Sequence, residues 1–200
     1  MQLANLFSTP IASFDHGDLR ETNRQLAEIL IADSTQKPSL TVSNIGNWHS
    51  NHDLHERQEP CFQKLVGLIR DNTWKVTEAL AARNGKTYPR HPPTLNMWAM
   101  VMKNGDYTKP HSHSNVNWAV VYYPDIGESN LPEAPLSGGI SFVDPRTSLN
   151  LVPGLDTETG EFHVQPKAGQ MLVFPGWLIH YVHPYRGNRP RVSIACNVSY

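Results

Sequence analysis

Apolar residues recur at helical spacing in two segments of the first ninety residues. In residues 19–32 the apolar positions share one stripe, with charged positions opposite, and Asp18 before them is a candidate N-terminal cap. The second segment begins at Pro60, a favoured first-turn residue, and meets a stop signal at Asn84-Gly85. In residues 36–57 the apolar positions show neither helical nor strand periodicity. The pattern therefore predicts two helices joined by a loop.

After Pro92-Pro93 the pattern changes to short β-rich runs separated by Gly, Pro and Asn. Asn104-Gly105 is expected to turn the first hairpin. Seven or eight short strands behind two helices predict a mainly β fold, a double-stranded β-helix (jelly roll, cupin-like) braced by N-terminal α-helices. Inward side chains of such a fold can share a ligand cavity. The predicted strands are residues 95–102, 117–123, 139–143, 160–165, 170–174, 180–183 and 192–198.

The length and charge of the chain limit what it can be. Its 200 residues suit one domain, with helical support in residues 1–90 and the jelly-roll core in residues 91–200. Seventeen basic residues nearly balance 18 acidic ones, and the absence of a Lys/Arg run argues against nucleic acid or anionic membranes as partners. The partner expected is a substrate, and a homodimer stays open.

The sequence also favours a cytoplasmic protein. It has neither a signal-peptide pattern at its start nor an apolar stretch long enough to span a membrane. Cys61 and Cys196 have no spacing that suggests a disulfide or a zinc framework, so both are interpreted as buried thiols.

Three histidines are the candidate metal ligands. On a strand, residues i and i+2 point to the same face, so His111 and His113 can reach one ion. The third ligand must come from elsewhere, and His180, which follows an apolar strand, is preferred to His183. Neutral imidazole suits Fe(II), Zn, Cu or Ni. Five further histidines are interpreted as surface or hydrogen-bonded residues: His49, His52, His55, His91 and His163.

Arg191 is the candidate anion ligand, because its planar fork can bind a carboxylate through two parallel hydrogen bonds. Ser193 lies two residues later, on the same face of the strand, and can add a hydroxyl. A dicarboxylate could therefore bridge a metal at the histidines and the guanidinium of Arg191.

These residues resemble the 2-oxoglutarate and Fe(II)-dependent oxygenases. Residues 105–113 are similar to the superfamily's G-x-Y-x-x-P-H-x-D stretch. Residues 174–180 and the run Arg191-Val192-Ser193 are similar to its F-P-x-x-x-x-H and R-x-S elements. Residues 5–11, 139–146 and 191–197 are similar to a bacterial and phage subgroup that carries an H-x-H motif.

The resemblance implies the role of each site residue. His111 and His180 would bind Fe(II), Arg191 and Ser193 would receive the distal carboxylate of 2-oxoglutarate, and Tyr107 or Asn96 would contact this cosubstrate. His113 stands where the superfamily usually has Asp, which makes the site one unit more positive. Whether His113 binds the metal or orients the substrate stays open.

The expected function is that of a 2-oxoglutarate-dependent dioxygenase that hydroxylates a C–H bond of a small molecule or peptide. It would consume O2 and release succinate and CO2. Two alternatives remain: a three-histidine cupin-type metalloenzyme that needs no 2-oxoglutarate, and a non-catalytic barrel that binds a small molecule. The substrate itself stays open, and residues 36–57 and 124–135 are expected to form the mouth of the pocket.

Overall fold

The computed structural model describes residues 8–128, 132–146 and 160–200. Both predicted helices are present, α1 as Arg20–Gln36 and α2 as Pro60–Arg83. Helix α2 begins at the predicted proline and ends before Asn84, and Gly85 follows in the left-handed region with φ of 66°. This conformation is one that glycine adopts at little cost, which explains the stop.

The prediction that Asp18 caps α1 was wrong. Leu19 occupies the cap position, and no side chain caps the helix. The reason is a turn just before it, in which the Leu19 N–H donates to the His16 carbonyl. This turn places the first helical residue at Arg20, one position later than a cap at Asp18 requires.

The strands of the described residues form two antiparallel sheets. The major sheet has the order β1-β9-β6-β11-β4-β3, and the minor sheet has the order β2-β5-β10-β7-β8. This mainly β architecture confirms the predicted double-stranded β-helix. The strands are β1 Ala12–Asp15, β2 Asn44–Ile45, β3 Trp48–His49, β4 Thr94–Met102, β5 Tyr107–His111, β6 Trp118–Asp125, β7 Ile140–Val143, β8 Glu161–Val164, β9 Gln170–Pro175, β10 His180–Val182 and β11 Arg191–Ser199.

Two expectations about the layout of the chain need correction. Strands β1, β2 and β3 all precede residue 90, so the first part of the chain supplies sheet edges as well as helices. The segment predicted as a loop contains β2, β3 and a 3-10 turn at Leu54–Glu56. Strands of two residues are too short to leave an alternating pattern in a sequence.

The Asn104-Gly105 turn does not form a hairpin. Gly105 takes a positive φ of 96°, as a tight turn requires. The two flanking strands nevertheless belong to different sheets, because β4 pairs with β3 and β11 whereas β5 pairs with β2 and β10. The turn therefore carries the chain across the sandwich, and this crossing brings β5 to the far wall of the cavity.

Strand β11 shows how the major sheet serves two environments. Its even-numbered residues, Val192, Ile194, Cys196 and Val198, belong to the core that also contains buried residues of both helices. Its odd-numbered residues, Arg191, Ser193, Ala195 and Asn197, line a cavity on the opposite face. Because side chains alternate along a strand, the helices cover one face of the sheet and leave the other for the cavity.

A second apolar cluster fills the space between the two sheets, and the cavity lies beside it. It includes Tyr123, Phe142, Phe174 and Val182, all of which are buried. Burial of each such side chain contributes about 1.5–3 kcal/mol to folding. No helix among the described residues has the length and apolar character needed to cross a bilayer.

Candidate metal and anion site

Three histidines converge at one end of the cavity. His111 ends β5 and His180 begins β10, and the two are directly paired in the ladder. His113 lies just beyond β5, where its backbone N–H donates to the Gly176 carbonyl. One ring nitrogen from each histidine lies within 4.8 Å of the others, and the Nε2 atoms of His113 and His180 are 3.4 Å apart. The structure thus brings together the three predicted ligands.

The backbone fixes the orientation of two of these rings. The Nδ1 atom of His111 contacts the Lys109 carbonyl at 2.7 Å, and the Nδ1 atom of His180 contacts the Leu178 carbonyl at 2.9 Å. A carbonyl can only accept, so each Nδ1 carries the proton and each Nε2 presents a lone pair. This is the arrangement of metal-bound imidazoles, which usually donate their second nitrogen to a carbonyl or carboxylate. The donor set therefore fits a borderline transition metal such as Fe(II).

Burial keeps the three imidazoles neutral. Desolvation, followed by the charge of His111, lowers the pKa of His180 to about 3 and that of His113 to about 4. Desolvation also lowers the pKa of His111. Neutral imidazole is the form that binds metal, so no proton has to leave before an ion enters.

Arg191 lines the same cavity, is 1% exposed and has no carboxylate partner among the described residues. Its Nη1 atom donates to Met102 Sδ at 3.3 Å and to Ser193 Oγ at 3.4 Å, while Nη2 has no hydrogen-bond partner. A buried, unpaired guanidinium is costly, by several kcal/mol in general. An anion that entered the cavity would offset this cost with charge-assisted hydrogen bonds.

Tyr123 completes the anion end of the cavity, and the sequence analysis missed it. Its ring packs against the Arg191 guanidinium at 5.2 Å, and its buried hydroxyl has no partner within hydrogen-bonding geometry. Burial raises the pKa of Tyr123 to about 12, so the hydroxyl stays a donor. Strand β6 is apolar on both faces, so its sequence shows no alternation of apolar and polar residues. The only signal is its spacing from Ala119, since every second residue from there lies on the cavity face and Tyr123 is one of them.

Tyr107 and Asn96, the two expected cosubstrate contacts, do not line the cavity. A β-bulge in β5 pairs Val182 with Thr108 and His180 with His111, which shifts the alternation by one residue. Thr108 therefore lines the cavity, and its neighbour Tyr107 belongs to the other face of the sheet. Asn96 lies near the start of β4, where it is exposed.

The cavity has a volume of about 440 Å³ and joins the histidines to Arg191. Part of its lining comes from residues 36–57, through Val42, Ser43, His49 and His52. The described residues of 124–135, the other segment expected at the mouth, do not line the cavity. Residues 129–131 of this segment, and residues 5–7 of the N-terminal motif, lie outside the described part of the chain.

Trp98 is an aromatic lining residue whose ring lies close to three histidines of the cavity. His49 stacks on it, with ring centroids 5.8 Å apart, and His52 meets it edge-on at 5.0 Å. The ring centroid of His113 lies 5.7 Å from that of Trp98. His49 is buried and its Nδ1 contacts the Ser50 carbonyl, in agreement with the prediction of a hydrogen-bonded histidine.

One cavity of this double-stranded β-helix thus contains three neutral imidazoles and a buried, unpaired guanidinium. These features are typical of one class of protein, the non-haem metal barrels that bind an anionic ligand. The family model described as "Putative 2OG-Fe(II) oxygenase" matches residues 96–197, which include every one of these groups. The chain belongs to this 2OG-Fe(II) oxygenase family. It is a 2-oxoglutarate-dependent dioxygenase that uses Fe(II) as cofactor, with 2-oxoglutarate and O2 as cosubstrates. No protein with a curated description matches it.

Solved structures with the same fold agree with this assignment. A prolyl-4-hydroxylase from Pseudomonas putida is 17% identical, with coverage of 97% of this chain and 94% of that chain and a TM-score of 0.63. A prolyl hydroxylase from Trichoplax adhaerens, in complex with a peptide fragment of the hypoxia inducible factor oxygen degradation domain, is 11% identical, with coverage of 97% and 85% and a TM-score of 0.60. HygX from Streptomyces hygroscopicus, with nickel and 2-oxoglutarate bound, is 11% identical, with coverage of 94% and 83% and a TM-score of 0.60. At these identities the likeness concerns the fold.

Proposed function

We propose that His111, His113 and His180 hold Fe(II), and that Arg191 receives the distal carboxylate of 2-oxoglutarate. Ser193 and Tyr123 assist Arg191 from the same end of the cavity. Fe(II) and 2-oxoglutarate, when bound, supply the O2-dependent oxidation of a C–H bond with release of succinate and CO2. The enzyme then hydroxylates a peptide or small-molecule substrate at the mouth of the cavity.

The observation that carries this proposal is the unpaired Nη2 atom of Arg191 in the cavity that also holds the histidines. A structural arginine would have a carboxylate or carbonyl partner, because an unsatisfied buried charge destabilises the fold. A ligand that carries a carboxylate at one end and a metal-chelating group at the other satisfies both ends of the cavity at once.

The chain's own groups prepare the site for this ligand. Tyr123 holds its proton and can donate it to a carboxylate oxygen, and the Ser193 hydroxyl lies 3.4 Å from Arg191 Nη1. Apolar side chains from both sheets, such as Val121, Ile140 and Phe174, line the space between. They exclude water, which strengthens each charge-assisted hydrogen bond and limits side reactions.

The walls of the cavity favour an uncharged or anionic substrate. None of its described lining residues is Asp or Glu, and Lys109 lies exposed at its rim. A cationic group would therefore be desolvated without a partner. The structural neighbours include two prolyl hydroxylases, one with a peptide fragment bound, which supports a peptide as one substrate class. A flat or ring-bearing group of the substrate would pack well against Trp98, which lines the cavity.

The proposal is tested by turnover under air with Fe(II) and 2-oxoglutarate, with a peptide library and a small-acid library as candidate substrates. We expect succinate to form in step with 2-oxoglutarate loss, and a metal chelator to stop the reaction. Oxygen consumption that persists without any 2-oxo acid would instead support the three-histidine cupin alternative. A pocket that binds ligands equally well with and without chelator would support the non-catalytic barrel.

We also propose that residues 1–200 act as a single domain in the cytoplasm. The strands that precede residue 90 complete the edges of both sheets, which supports one folding unit. Cys61 and Cys196 are buried free thiols, as is usual in a reducing compartment.

A further inference from the structure

His49 lies on the cavity face of the major sheet, on its edge strand β3. In the ladder of β3 and β4 it is directly opposite Met100, which lines the cavity. Residues that are directly paired in a ladder project from the same face of the sheet. The His49 ring therefore faces the cavity, and the residue is 2% exposed.

The surrounding chain holds His49 in this position. Its N–H donates to the Ser39 hydroxyl at 3.0 Å, and its carbonyl accepts from the Leu40 N–H at 3.0 Å. The next residue, Ser50, donates its N–H to the carbonyl of Ala99 in β4. The ring stacks on Trp98, with centroids 5.8 Å apart and an angle of 11° between the planes. A ligand would therefore meet a ring whose orientation the fold has already set.

The proton of the His49 ring is fixed as well. Its Nδ1 lies 2.7 Å from the Ser50 carbonyl, which can only accept, so Nδ1 carries the proton. Burial lowers the pKa of His49, which favours the neutral ring. The Nε2 atom then has a lone pair, and no hydrogen bond from another described residue reaches it. His49 is thus an oriented acceptor that has no donor within the described part of the chain.

The neighbouring histidine, His52, is not fixed in this way. It lines the same cavity and meets Trp98 edge-on, with ring centroids 5.0 Å apart. Neither of its ring nitrogens makes a hydrogen bond to the described residues. Its proton can therefore sit on either nitrogen, so the ring can donate or accept. Of the two rings, His49 is the one whose hydrogen-bonding role is set by the fold.

We infer that His49 is a specificity-determining residue: its Nε2 accepts a hydrogen bond from an uncharged planar group of the substrate that carries an N–H or O–H, such as an amide, an indole or a phenol. The inference rests on the proposed function and narrows its substrate class. The other lining residues agree with this chemistry. None of those described is Asp or Glu, so a cation lacks a partner, and the rings of Trp98, His52 and Phe174 suit a planar group.

The test compares probes that differ in a single donor. Indole and benzothiophene have nearly the same shape, but only indole has an N–H; phenol and toluene differ in the same way through the O–H. Affinities are measured by NMR titration of the protein as purified, and again with Zn(II) and 2-oxoglutarate added. The readout is the ratio of indole to benzothiophene affinity, and of phenol to toluene affinity, which does not depend on turnover.

His49→Phe keeps a flat ring beside Trp98 but removes the acceptor. We expect both ratios to fall by roughly two- to twelve-fold, the range of one net hydrogen bond, while the affinities for benzothiophene and toluene stay near wild type. His49→Gln supplies an amide oxygen in place of Nε2 and should restore part of each ratio. His52→Phe is the matched control, because it removes the neighbouring imidazole from the same cavity, and it should keep the wild-type ratios.

A second readout needs no variant. In wild-type protein labelled with 15N-histidine, the resonance of the unprotonated Nε2 of His49 should shift towards the value of a protonated nitrogen when indole binds. Benzothiophene should leave it in place. This measurement decides the question if thermal unfolding shows that His49→Phe does not fold.

The inference is overturned if His49→Phe keeps the wild-type ratios, or if His52→Phe lowers them instead. It is also overturned if indole and phenol do not bind in the cavity, or if indole binds without moving the Nε2 resonance. A failure of the proposed function gives a different result. In that case Zn(II) and 2-oxoglutarate would not bind, whereas the donor preference at His49 would persist in the protein as purified.

Discussion

His180 and His111 lie directly opposite each other across the ladder of β10 and β5, with ring centroids 4.4 Å apart. Both side chains belong to the buried face of the minor sheet, and both rings are oriented by a carbonyl of their own strand or turn. The pairing therefore sets the distance between two proposed ligands through backbone hydrogen bonds. The two proposed ligands are thus positioned by the fold itself.

Removal of either paired ligand should abolish metal binding without loss of the fold. We expect His180→Ala and His111→Ala to retain less than a tenth of wild-type Fe(II) under anaerobic conditions, because two remaining imidazoles bind weakly. Elemental analysis after desalting measures this. His163→Ala is the control, since His163 contacts Ser141 and is absent from the cavity lining. Full iron content in His180→Ala would contradict the assignment of the site.

Replacement of Arg191 by Met should weaken 2-oxoglutarate binding while the metal stays bound. The expected loss is about 1.5–3 kcal/mol, the scale of a hydrogen bond to a charged group, or roughly 10- to 150-fold in Kd. Calorimetric titration of the anaerobic Fe(II) protein measures it. The exposed Arg186→Ala serves as the control.

We also expect Arg191→Met to change the stability of the ligand-free protein in a defined direction. Arg191 is buried without a carboxylate partner, so Arg191→Met should leave the ligand-free protein as stable as wild type or more stable. Thermal unfolding in the absence of 2-oxoglutarate checks this. A fall of several degrees in Tm, together with equal losses of metal and 2-oxoglutarate, would indicate that Arg191 serves the fold rather than the ligand.

Tyr123→Phe isolates the contribution of one hydroxyl. The ring that packs on Arg191 is kept, and only the unpartnered buried Oη is lost. We expect 2-oxoglutarate affinity to fall by about 0.5–1.5 kcal/mol, or roughly two- to twelve-fold, with no loss of stability. Tyr107→Phe is the control, because Tyr107 is not a lining residue. Equal affinity in Tyr123→Phe and wild type would remove Tyr123 from the anion site.

Gly138→Ala should damage the anion site through the backbone. Gly138 has a φ of 63°, and an added Cβ would lie 2.9 Å from both Cδ and Nε of Arg191. The left-handed conformation alone costs a non-glycine residue about 1–2 kcal/mol. Gly85→Ala is a matched control, because Gly85 has a φ of 66° but no atom near the added Cβ. Both variants should lose stability in denaturant titrations, whereas only Gly138→Ala should also lose 2-oxoglutarate affinity.

The sequence predicts the jelly roll, the two helices and the family, because strand alternation, helix signals and ordered motifs are all local. It also predicts the residues that the structure gathers in the cavity, His111, His113, His180, Arg191 and Ser193, although their roles stay proposals. The resemblance implies Tyr107 as a cosubstrate contact, but the structure places its neighbour Thr108 in the cavity lining. The bulge that shifts the alternation leaves no mark in the residue pattern.

Tyr123 was missed for a different reason. It lies in a strand whose two faces are both buried, so its neighbours are apolar at odd and even positions alike. Only the unpartnered hydroxyl marks Tyr123, and such an atom becomes visible once the groups around it are known.

The most direct measurement is the visible absorption of the anaerobic Fe(II) protein during titration with 2-oxoglutarate. We expect a metal-to-ligand charge-transfer band that saturates at one 2-oxoglutarate per chain. The band should be absent in His180→Ala and should require much higher 2-oxoglutarate in Arg191→Met. A wild-type protein that holds iron but gives no band at saturating 2-oxoglutarate, or an unchanged band in His180→Ala, would contradict this expectation.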